Sequence, residues 1–355
     1  MSCFELRHLS VKNSVPAGDI LPASCAYKWL AAQDGRKLRL QAAGLGDVGR
    51  TMLIGLLLAG IDVIESIGIY DLSPAALQRM EIELNQVAWP CRPGSGPRVY
   101  ILREEELFQD CDAFFFCATK AIPEVGSGVQ DVRMAQYEAN KGIVALYAAK
   151  ASQKAFRGLF GVVSDPVDLL CQAAFLTACK DAAENGGRGL HPEQIQGFGL
   201  GVMFARASYY AAKDADAYPY FKEEGRAFGP HGKALVVADS IDPAHYDPER
   251  SRALTEKTVQ ANLEVRALGF KPYIAPALSS AALTILAALR GEWNDSARYL
   301  NGLWFGARNR TRAESGCTEW EADGRELPED LYRRLEKAYR HLESFLPAAE
   351  QHRSS

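Results

Sequence analysis

A glycine-rich turn near the start of the chain stands between a strand-like run and an apolar helix-like segment. The turn is Gly44-Leu45-Gly46-Asp47-Val48-Gly49, and it lies between residues 38–43 and residues 51–60. Glycines let a backbone turn tightly and approach a phosphate, and the following helix offers unpaired N–H groups at its N-terminus. Asp71 ends the next strand-like run, where a carboxylate accepts hydrogen bonds from ribose hydroxyls. This order of strand, turn, helix, strand and acid predicts a dinucleotide-binding site.

The residues after Asp71 indicate which dinucleotide is bound. Leu72 and Ser73 follow it, and no arginine stands nearby. A 2′-phosphate would therefore meet a carboxylate and find no cation. The sequence favours NAD over NADP as the cofactor.

Composition excludes several classes of protein. The 355 residues are 48% apolar, and 40 basic against 44 acidic residues give a net charge of −4 without a long run of either sign. That balance argues against nucleic acid or an anionic membrane surface as the partner. The longest apolar stretch, residues 52–61, is about half a membrane span. Eight cysteines occur singly, and none forms a CxxC pair, so we expect reduced thiols, no metal site and a cytoplasmic protein without a secretory signal.

The pattern of the chain predicts an N-terminal extension and two domains. Residues 1–36 precede the first core strand and are expected to form an extension, such as an arm that packs on a neighbouring subunit. From 37 to 165, short apolar runs alternate with helical stretches, which predicts a doubly wound parallel sheet covered on both faces. Residues 166–355 are richer in helix and end in an amphipathic helix over 328–345.

Several short motifs share their order with the lactate and malate dehydrogenase family, and the chain resembles that family from Leu38 to Phe345. The resemblance rests on the glycine turn, Asp71 and the motifs that follow. These are Asp131-Val132-Arg133-Met134, Asn140-Lys141-Gly142-Ile143-Val144, Val163-Ser164-Asp165-Pro166-Val167-Asp168, Ala205-Arg206 and Gly229-Pro230-His231-Gly232. The resemblance implies a Rossmann domain followed by an α+β substrate domain. It also implies hydride transfer between NAD and a small 2-hydroxy or 2-oxo carboxylic acid.

The resemblance assigns roles to three residues. His231 is similar to the general base that takes the hydroxyl proton, a task that suits imidazole near neutral pH. Arg206 is similar to the arginine that grips the substrate carboxylate with two parallel hydrogen bonds. Arg133 is similar to the arginine of the mobile loop that polarises the substrate carbonyl when the loop closes.

Five further residues complete the expected cofactor contacts. Cys117, Ala118 and Thr119 follow an apolar run and are expected at the carboxyl edge of the sheet, where ligands bind in doubly wound folds. Asn140 and Val163 belong to the family-like motifs.

Two departures from the family pattern leave the activity open. Met203 occupies the position of the aspartate that orients the histidine, and Asp165 replaces an asparagine that faces the nicotinamide. In one interpretation Asp165 takes over the partnership with His231, or binds a positively charged group of an unusual substrate. In the other, the protein binds NAD but has lost ordinary dehydrogenase activity and is a regulatory or structural subunit. An NAD-dependent glycosidase of similar fold is disfavoured, because no Cys/His metal spacing occurs near Asp165 or Arg206.

The sequence says less about substrate and assembly. The region 125–128, where malate-specific relatives have a second arginine, contains small residues, which leaves Lys120 as the candidate charge partner. Lys271-Pro272 replaces a small polar residue of the pocket wall. By resemblance we expect a homodimer or homotetramer.

Overall fold

In a computed structural model of the chain, residues 4–10, 36–92, 94–120, 132–215, 218–232, 234–314 and 317–346 are described, without the side chains of 132, 133 and 313–319. The loop over 121–131, expected to close over the substrate, and most of the N-terminal extension lie outside these residues. So does the Arg133 side chain, although the Arg133 backbone lies in the first turn of a helix.

Six parallel strands form the centre of the molecule in the order β3-β2-β1-β4-β5-β6. Their bounds are β1 Leu38–Ala43, β2 Ile64–Tyr70, β3 Arg98–Ile101, β4 Ala113–Phe116, β5 Leu159–Val162 and β6 Ile195–Gly197. This order is that of the doubly wound dinucleotide-binding fold, in which the strand order reverses between β1 and β4. The predicted fold class is confirmed, and the parallel sheet continues through β6, past the boundary expected at residue 165.

Helices cover both faces of this sheet, as the continuous apolar runs require. They are α1 Asp47–Ala59, α2 Pro74–Asn85, α3 Val132–Gln153 and α4 Val167–Asn185. All four residues of β4 are buried; Phe115 packs into the layer that contains α1, whereas Phe114 and Phe116 pack into the layer that contains α3 and α4. The carboxyl edge of the sheet is therefore held between two apolar layers, one on each face.

An antiparallel extension and further helices form the second half of the chain. Strands β9 Asn294–Leu300, β10 Leu303–Glu314 and β11 Cys317–Ala322 continue the sheet beyond β6, and β7 Arg226–Phe228 pairs with β8 Val236–Ala238. The helices are α5 Leu200–Ala211, α6 Tyr218–Glu224, α7 Pro248–Ala267, a π-helical segment Pro276–Leu283, α8 Thr284–Leu289 and α9 Glu329–Glu343. The predicted terminal helix is α9, which buries Leu331, Leu335, Ala338, Tyr339 and Leu342.

The described part of the N-terminal extension packs on its own chain. Leu6 and Leu9 are buried in the cluster that α9 builds, and Asn301 Nδ2 donates to the carbonyls of Arg7 and Leu9. Residues 4–10 thus lie against the C-terminal half of the same chain, although the sequence suggested an arm for a neighbouring subunit. Among the described helices, none combines the length and the apolar character needed to cross a membrane.

Candidate active site

The glycine turn joins β1 to α1, and its three glycines have different surroundings. Gly44 has a φ of +97°, and a Cβ there would lie 2.4 Å from the amide nitrogen of Ala118. A Cβ on Gly49 would lie 2.1 Å from the Gly44 carbonyl oxygen, so this glycine lets the helix pack on the turn. A Cβ on Gly46 would meet no atom within 4 Å. That open space, beside the first N–H groups of α1, suits a phosphate.

Asp71 lies at the end of β2 and supports the turn. Its Oδ2 accepts a hydrogen bond from the Leu45 N–H at 2.7 Å, and its Oδ1 accepts one from the Ser73 N–H at 3.0 Å. The carboxylate is therefore oriented by two backbone donors, with lone pairs left for ribose hydroxyls. This position is the one that the sequence predicted for it.

A cavity of about 590 Å³ extends from the glycine turn along the carboxyl edge of the sheet. Its lining includes Gly44, Gly46 and Asp71 on one side and residues of α3 on the other. Cys117, Ala118 and Thr119, which follow β4, form its floor, as expected for the cofactor-binding residues of a doubly wound fold. The size and lining suit the adenosine and phosphate portion of a dinucleotide.

Asp47 places a negative charge in the first turn of α1, close to the predicted phosphate position. Lys271 Nζ lies 2.5 Å from Asp47 Oδ2, and Arg50 donates to Asp47 Oδ1 at 2.9 Å. The hydrogen bond from Lys271 is the main cause of the lowered pKa of Asp47. Two cations therefore offset the carboxylate, and Lys271, which the sequence placed in the substrate pocket wall, reaches the glycine turn instead.

A second, smaller cavity of about 120 Å³ adjoins the first, because Cys117 and Thr119 line both. It contains Asp165 and His231 together with residues from both halves of the chain. The remaining lining residues are Val48, Gln136, Val163, Ser164, Phe198, Gly199, Val202, Pro276 and Ser280. The first cavity reaches this one along the sheet edge, as a cofactor with a reactive ring at one end requires.

Asn140 on α3 connects the ends of β4 and β5. It is buried, and its Nδ2 donates to the Asp165 carbonyl at 2.9 Å and to Thr119 Oγ1 at 3.1 Å. Its Oδ1 accepts a hydrogen bond from the Lys120 N–H at 3.0 Å. Ser164 Oγ donates to the Ala118 carbonyl at 2.8 Å. These bonds hold the backbone of Asp165 in place; the cofactor contact that the resemblance implies for Asn140 remains a prediction.

The loop after β7 brings His231 to Asp165. His231 Nδ1 lies 3.1 Å from Asp165 Oδ1, and the two side chains are 24% and 45% exposed. The loop is fixed by the Gly229 N–H, which donates to the Gly306 carbonyl at 2.8 Å, and Gly229 has a φ of +83°. Because Asp165 engages Nδ1, the other ring nitrogen, Nε2, is left for a reacting group.

Met203 takes no part in this pair. It is 1% exposed and belongs to an apolar cluster with Leu200, Ala207 and Phe221. The position at which the family has its orienting aspartate is thus filled by an apolar core side chain. The carboxylate nearest the imidazole comes from the end of β5 instead.

Arg206 lies on α5, one helical turn beyond Val202, which lines the smaller cavity. Its side chain is half-buried; burial lowers the pKa of its guanidinium, and the nearby charge of Asp165 opposes that shift. Among the residues that the structure describes, none accepts a hydrogen bond from its guanidinium. A cation in such a position suits a carboxylate ligand.

Sequence reasoning missed the residues of the smaller cavity that come from the π-helical segment. Ser280 is buried; it donates to the Gly199 carbonyl at 2.7 Å and accepts from the Val202 N–H at 2.7 Å. It therefore caps the start of the helix that carries Arg206. In the structure, a Cβ on Gly201 would lie 2.3 Å from Thr284 Oγ1. The glycine at 201 was therefore the one sign in the sequence that another segment packs closely on this helix.

No model of a known protein family matches the chain, and no curated protein matches it by sequence. Solved structures do match. A minor L-lactate dehydrogenase from Enterococcus mundtii is 16% identical with a TM-score of 0.69, covering 87% of this chain and 97% of that one. The malate dehydrogenase from Aeropyrum pernix is 18% identical with a TM-score of 0.68, covering 86% of this chain and 96% of that one.

A third match was determined with two small molecules. The lactate dehydrogenase from Eimeria maxima with NADH and oxamate is 17% identical with a TM-score of 0.64, covering 86% of this chain and 92% of that one. At these identities the similarity establishes the fold. The expected fold of lactate and malate dehydrogenases is confirmed over nearly nine-tenths of the chain.

Proposed function

We propose that the protein is an NAD-dependent oxidoreductase that transfers a hydride between nicotinamide and a small 2-hydroxy or 2-oxo carboxylic acid. The observation that carries this proposal is the contact between His231 and Asp165 in the smaller cavity, which adjoins the larger one. The lactate and malate dehydrogenase fold, with one solved relative holding NADH and oxamate, supports the same reaction.

Each residue has a defined task in this reaction. In the oxidative direction, His231 Nε2 accepts the hydroxyl proton of the substrate, and the imidazolium that forms is stabilised by Asp165 through its Nδ1–H. Arg206 binds the substrate carboxylate with paired hydrogen bonds. Bound NAD supplies the acceptor for the hydride that leaves C2 of the substrate. In the reductive direction, His231 returns the proton to the oxygen.

The cofactor assignment rests on the glycine turn and Asp71. The phosphates would lie at Gly46 and the N-terminus of α1, and Asp71 would accept hydrogen bonds from the ribose hydroxyls. Val48 and Val163 line the smaller cavity, where they would contact the nicotinamide end. Arg133 is proposed to polarise the substrate carbonyl.

The alternative, an NAD-binding subunit without dehydrogenase activity, was motivated by the methionine at 203. The Asp165 side chain now supplies the carboxylate whose loss suggested that alternative, so the enzyme is the better interpretation. In the described part of the chain, the group of side chains with metal-ligand geometry is Glu224, Asp242 and His245, which line neither cavity.

Assembly as a homodimer, or as a homotetramer built from dimers, is part of the proposal. Ile54 and Leu58 on α1 and Leu283 on the adjoining π-helical segment are 42%, 45% and 55% exposed. Gly55 lets these two elements approach closely, since a Cβ there would lie 2.6 Å from Ala282 Cβ. Light scattering of the parent and of an Ile54→Glu variant tests this surface. A monomeric parent would contradict it.

The proposed activity is tested with NAD and a panel of small 2-hydroxy acids. Reduction of NAD by one or more of them, abolished in His231→Asn, is expected. NAD binding by calorimetry with no turnover on any acid, in both directions, would favour the non-catalytic subunit.

A further inference from the structure

The larger cavity contains a charged pair that the reaction does not use. Beyond Gly46 and Asp71, the cavity wall includes Tyr70, Glu104, Tyr147 and Lys150, together with the apolar side chains Leu107, Ile143 and Leu146. If the phosphates lie at the glycine turn and the first ribose at Asp71, the base attached to that ribose occupies this end of the cavity. The inference therefore rests on the proposed function and concerns the base.

Apolar and aromatic groups form the walls at this end. Leu146 is 71% exposed although it is a leucine that lines a cavity, so a planar ligand there would remove apolar surface from water. Tyr70 and Tyr147 have ring centroids 6.5 Å apart at 73° and form an aromatic corner. Such a wall suits the faces of a purine, but it does not distinguish one purine from another.

The polar pair adds a directional pattern to this wall. Lys150 Nζ lies 2.5 Å from Glu104 Oε1, and the pKa of the nearby Tyr70 hydroxyl is raised by burial and by the charge of Glu104. The hydrogen bond from Lys150 lowers the pKa of Glu104, so the side chain is a carboxylate at neutral pH. The rim of the cavity therefore presents a hydrogen-bond acceptor beside a donor, and both retain further bonding capacity.

Adenine matches this pattern when its 6-substituent faces Glu104, whereas a base with a 6-oxo group in the same orientation does not. Its exocyclic N6 amine donates, and the ring nitrogens on either side of it accept. We propose that Glu104 and Lys150 read the edge of the adenine, with Glu104 accepting from the N6 amine and Lys150 donating to a neighbouring ring nitrogen. In hypoxanthine a carbonyl oxygen replaces the amine and would face the Glu104 carboxylate. The pair thus makes the cofactor site selective for the base as well as for the 2′-hydroxyl.

The test compares two ligands by isothermal calorimetry without substrate: NAD and nicotinamide hypoxanthine dinucleotide, which differ in the base alone. The parent should bind NAD about tenfold or more tightly than the hypoxanthine dinucleotide, and this ratio of affinities is typical of a two-bond contact to a base edge. Glu104→Gln, whose amide both donates and accepts, should reduce that ratio toward one, and Lys150→Met should weaken NAD binding.

Glu83→Gln is the matched control, because Glu83 forms an exposed ion pair with Arg79 on α2 and lines neither cavity. It should leave the ratio unchanged, and equal melting temperatures of all variants establish that they fold. Equal affinity of the parent for both dinucleotides, or a full ratio in Glu104→Gln, would overturn the inference while the proposed function stands. A parent that binds neither dinucleotide would overturn both.

Discussion

Replacing Asp165 by asparagine separates the hydrogen bond that this side chain forms with His231 from the negative charge that it places beside the ring. The amide keeps the size of the carboxylate and one acceptor oxygen, but it removes the negative charge beside the imidazolium. The contact to His231 Nδ1, 3.1 Å in the structure, can therefore persist without stabilising the protonated ring. The Asn140 bond to the backbone carbonyl of residue 165 does not depend on the side chain, so the loop should stay in place.

The size of the effect follows from the hydrogen bond that changes character. A hydrogen bond to a charged group is worth about 1.5–3 kcal/mol, and roughly 1.4 kcal/mol corresponds to tenfold in rate. The two side chains are 24% and 45% exposed, so solvent screens part of this interaction. We expect kcat to fall about 10- to 100-fold. This is less than the loss of about 10⁴ seen when the buried aspartate of a hydrolase triad is replaced.

Steady-state turnover of the best 2-hydroxy acid, together with the NAD dissociation constant from calorimetry, measures the effect. The dissociation constant should remain within a factor of about two, because Asp165 stabilises the proton acceptor and leaves the cofactor contacts intact. Asp62→Asn is the control, since Asp62 pairs with Arg290 and lines neither cavity. Turnover of Asp165→Asn at the parent rate would refute the partnership.

Three further substitutions test the other assignments. Arg206→Lys keeps the charge but loses the paired geometry, so kcat/KM for a 2-oxo acid should fall by about 10- to 100-fold, from roughly 1.5–3 kcal/mol; unchanged kinetics would make Arg206 a structural cation. Asp71→Asn, which keeps an oxygen for the Leu45 N–H, should narrow the affinity gap between NAD and NADP in calorimetry, and an unaltered gap would contradict the ribose contact. Met203→Asp would bury a carboxylate in an apolar cluster and should cost about 3–5 kcal/mol in the free energy of unfolding measured with urea, so that a variant as stable as the parent would show that the cluster is misplaced.

The sequence predicted those parts of the fold that depend on local pattern. Residues 113–116 read as a continuous apolar strand because helices cover both faces of the sheet, whereas Arg39 and Gln41 interrupt the apolar residues of 38–43. The helix over 329–343 repeats its apolar residues at helical spacing because one face packs on the core. The glycine turn was recognisable from its spacing, and two of its glycines, Gly44 and Gly49, lie where a Cβ would clash with backbone atoms.

Strand β9 could not be predicted in the same way. Its sequence begins Asn294-Asp295-Ser296, which reads as a polar turn, yet all three residues are buried. The Ser296 hydroxyl has partners distant in sequence, since its Oγ accepts from Gln196 Nε2 at 2.8 Å and from Asn309 Nδ2 at 2.9 Å, whereas Asp295 Oδ1 has no hydrogen-bond partner among the described residues. A buried polar strand of this kind is visible only after the chain has folded, because its partners come from other strands.

In the candidate site, too, the sequence indicated some features and others depended on the folded chain. Asp165 and His231 were selected from the sequence as a candidate pair, but 66 residues separate them and their contact depends on the ends of β5 and β7. Lys271 and Asp47 are 224 residues apart, and no local pattern links them. Spacing along the chain therefore identified the chemical groups, and the packing of the two halves determined which of them meet.

The proposed transfer of hydride from C2 of the substrate to the cofactor is tested by following the transferred hydrogen itself. The protein is incubated with NAD and 2-hydroxy acids that carry deuterium at C2, and the reduced cofactor is analysed by mass spectrometry. Transfer from C2 predicts that deuterium appears in the nicotinamide ring with the parent and is lost with His231→Asn. NAD that binds but remains free of deuterium with every acid tested would contradict the proposed hydride transfer.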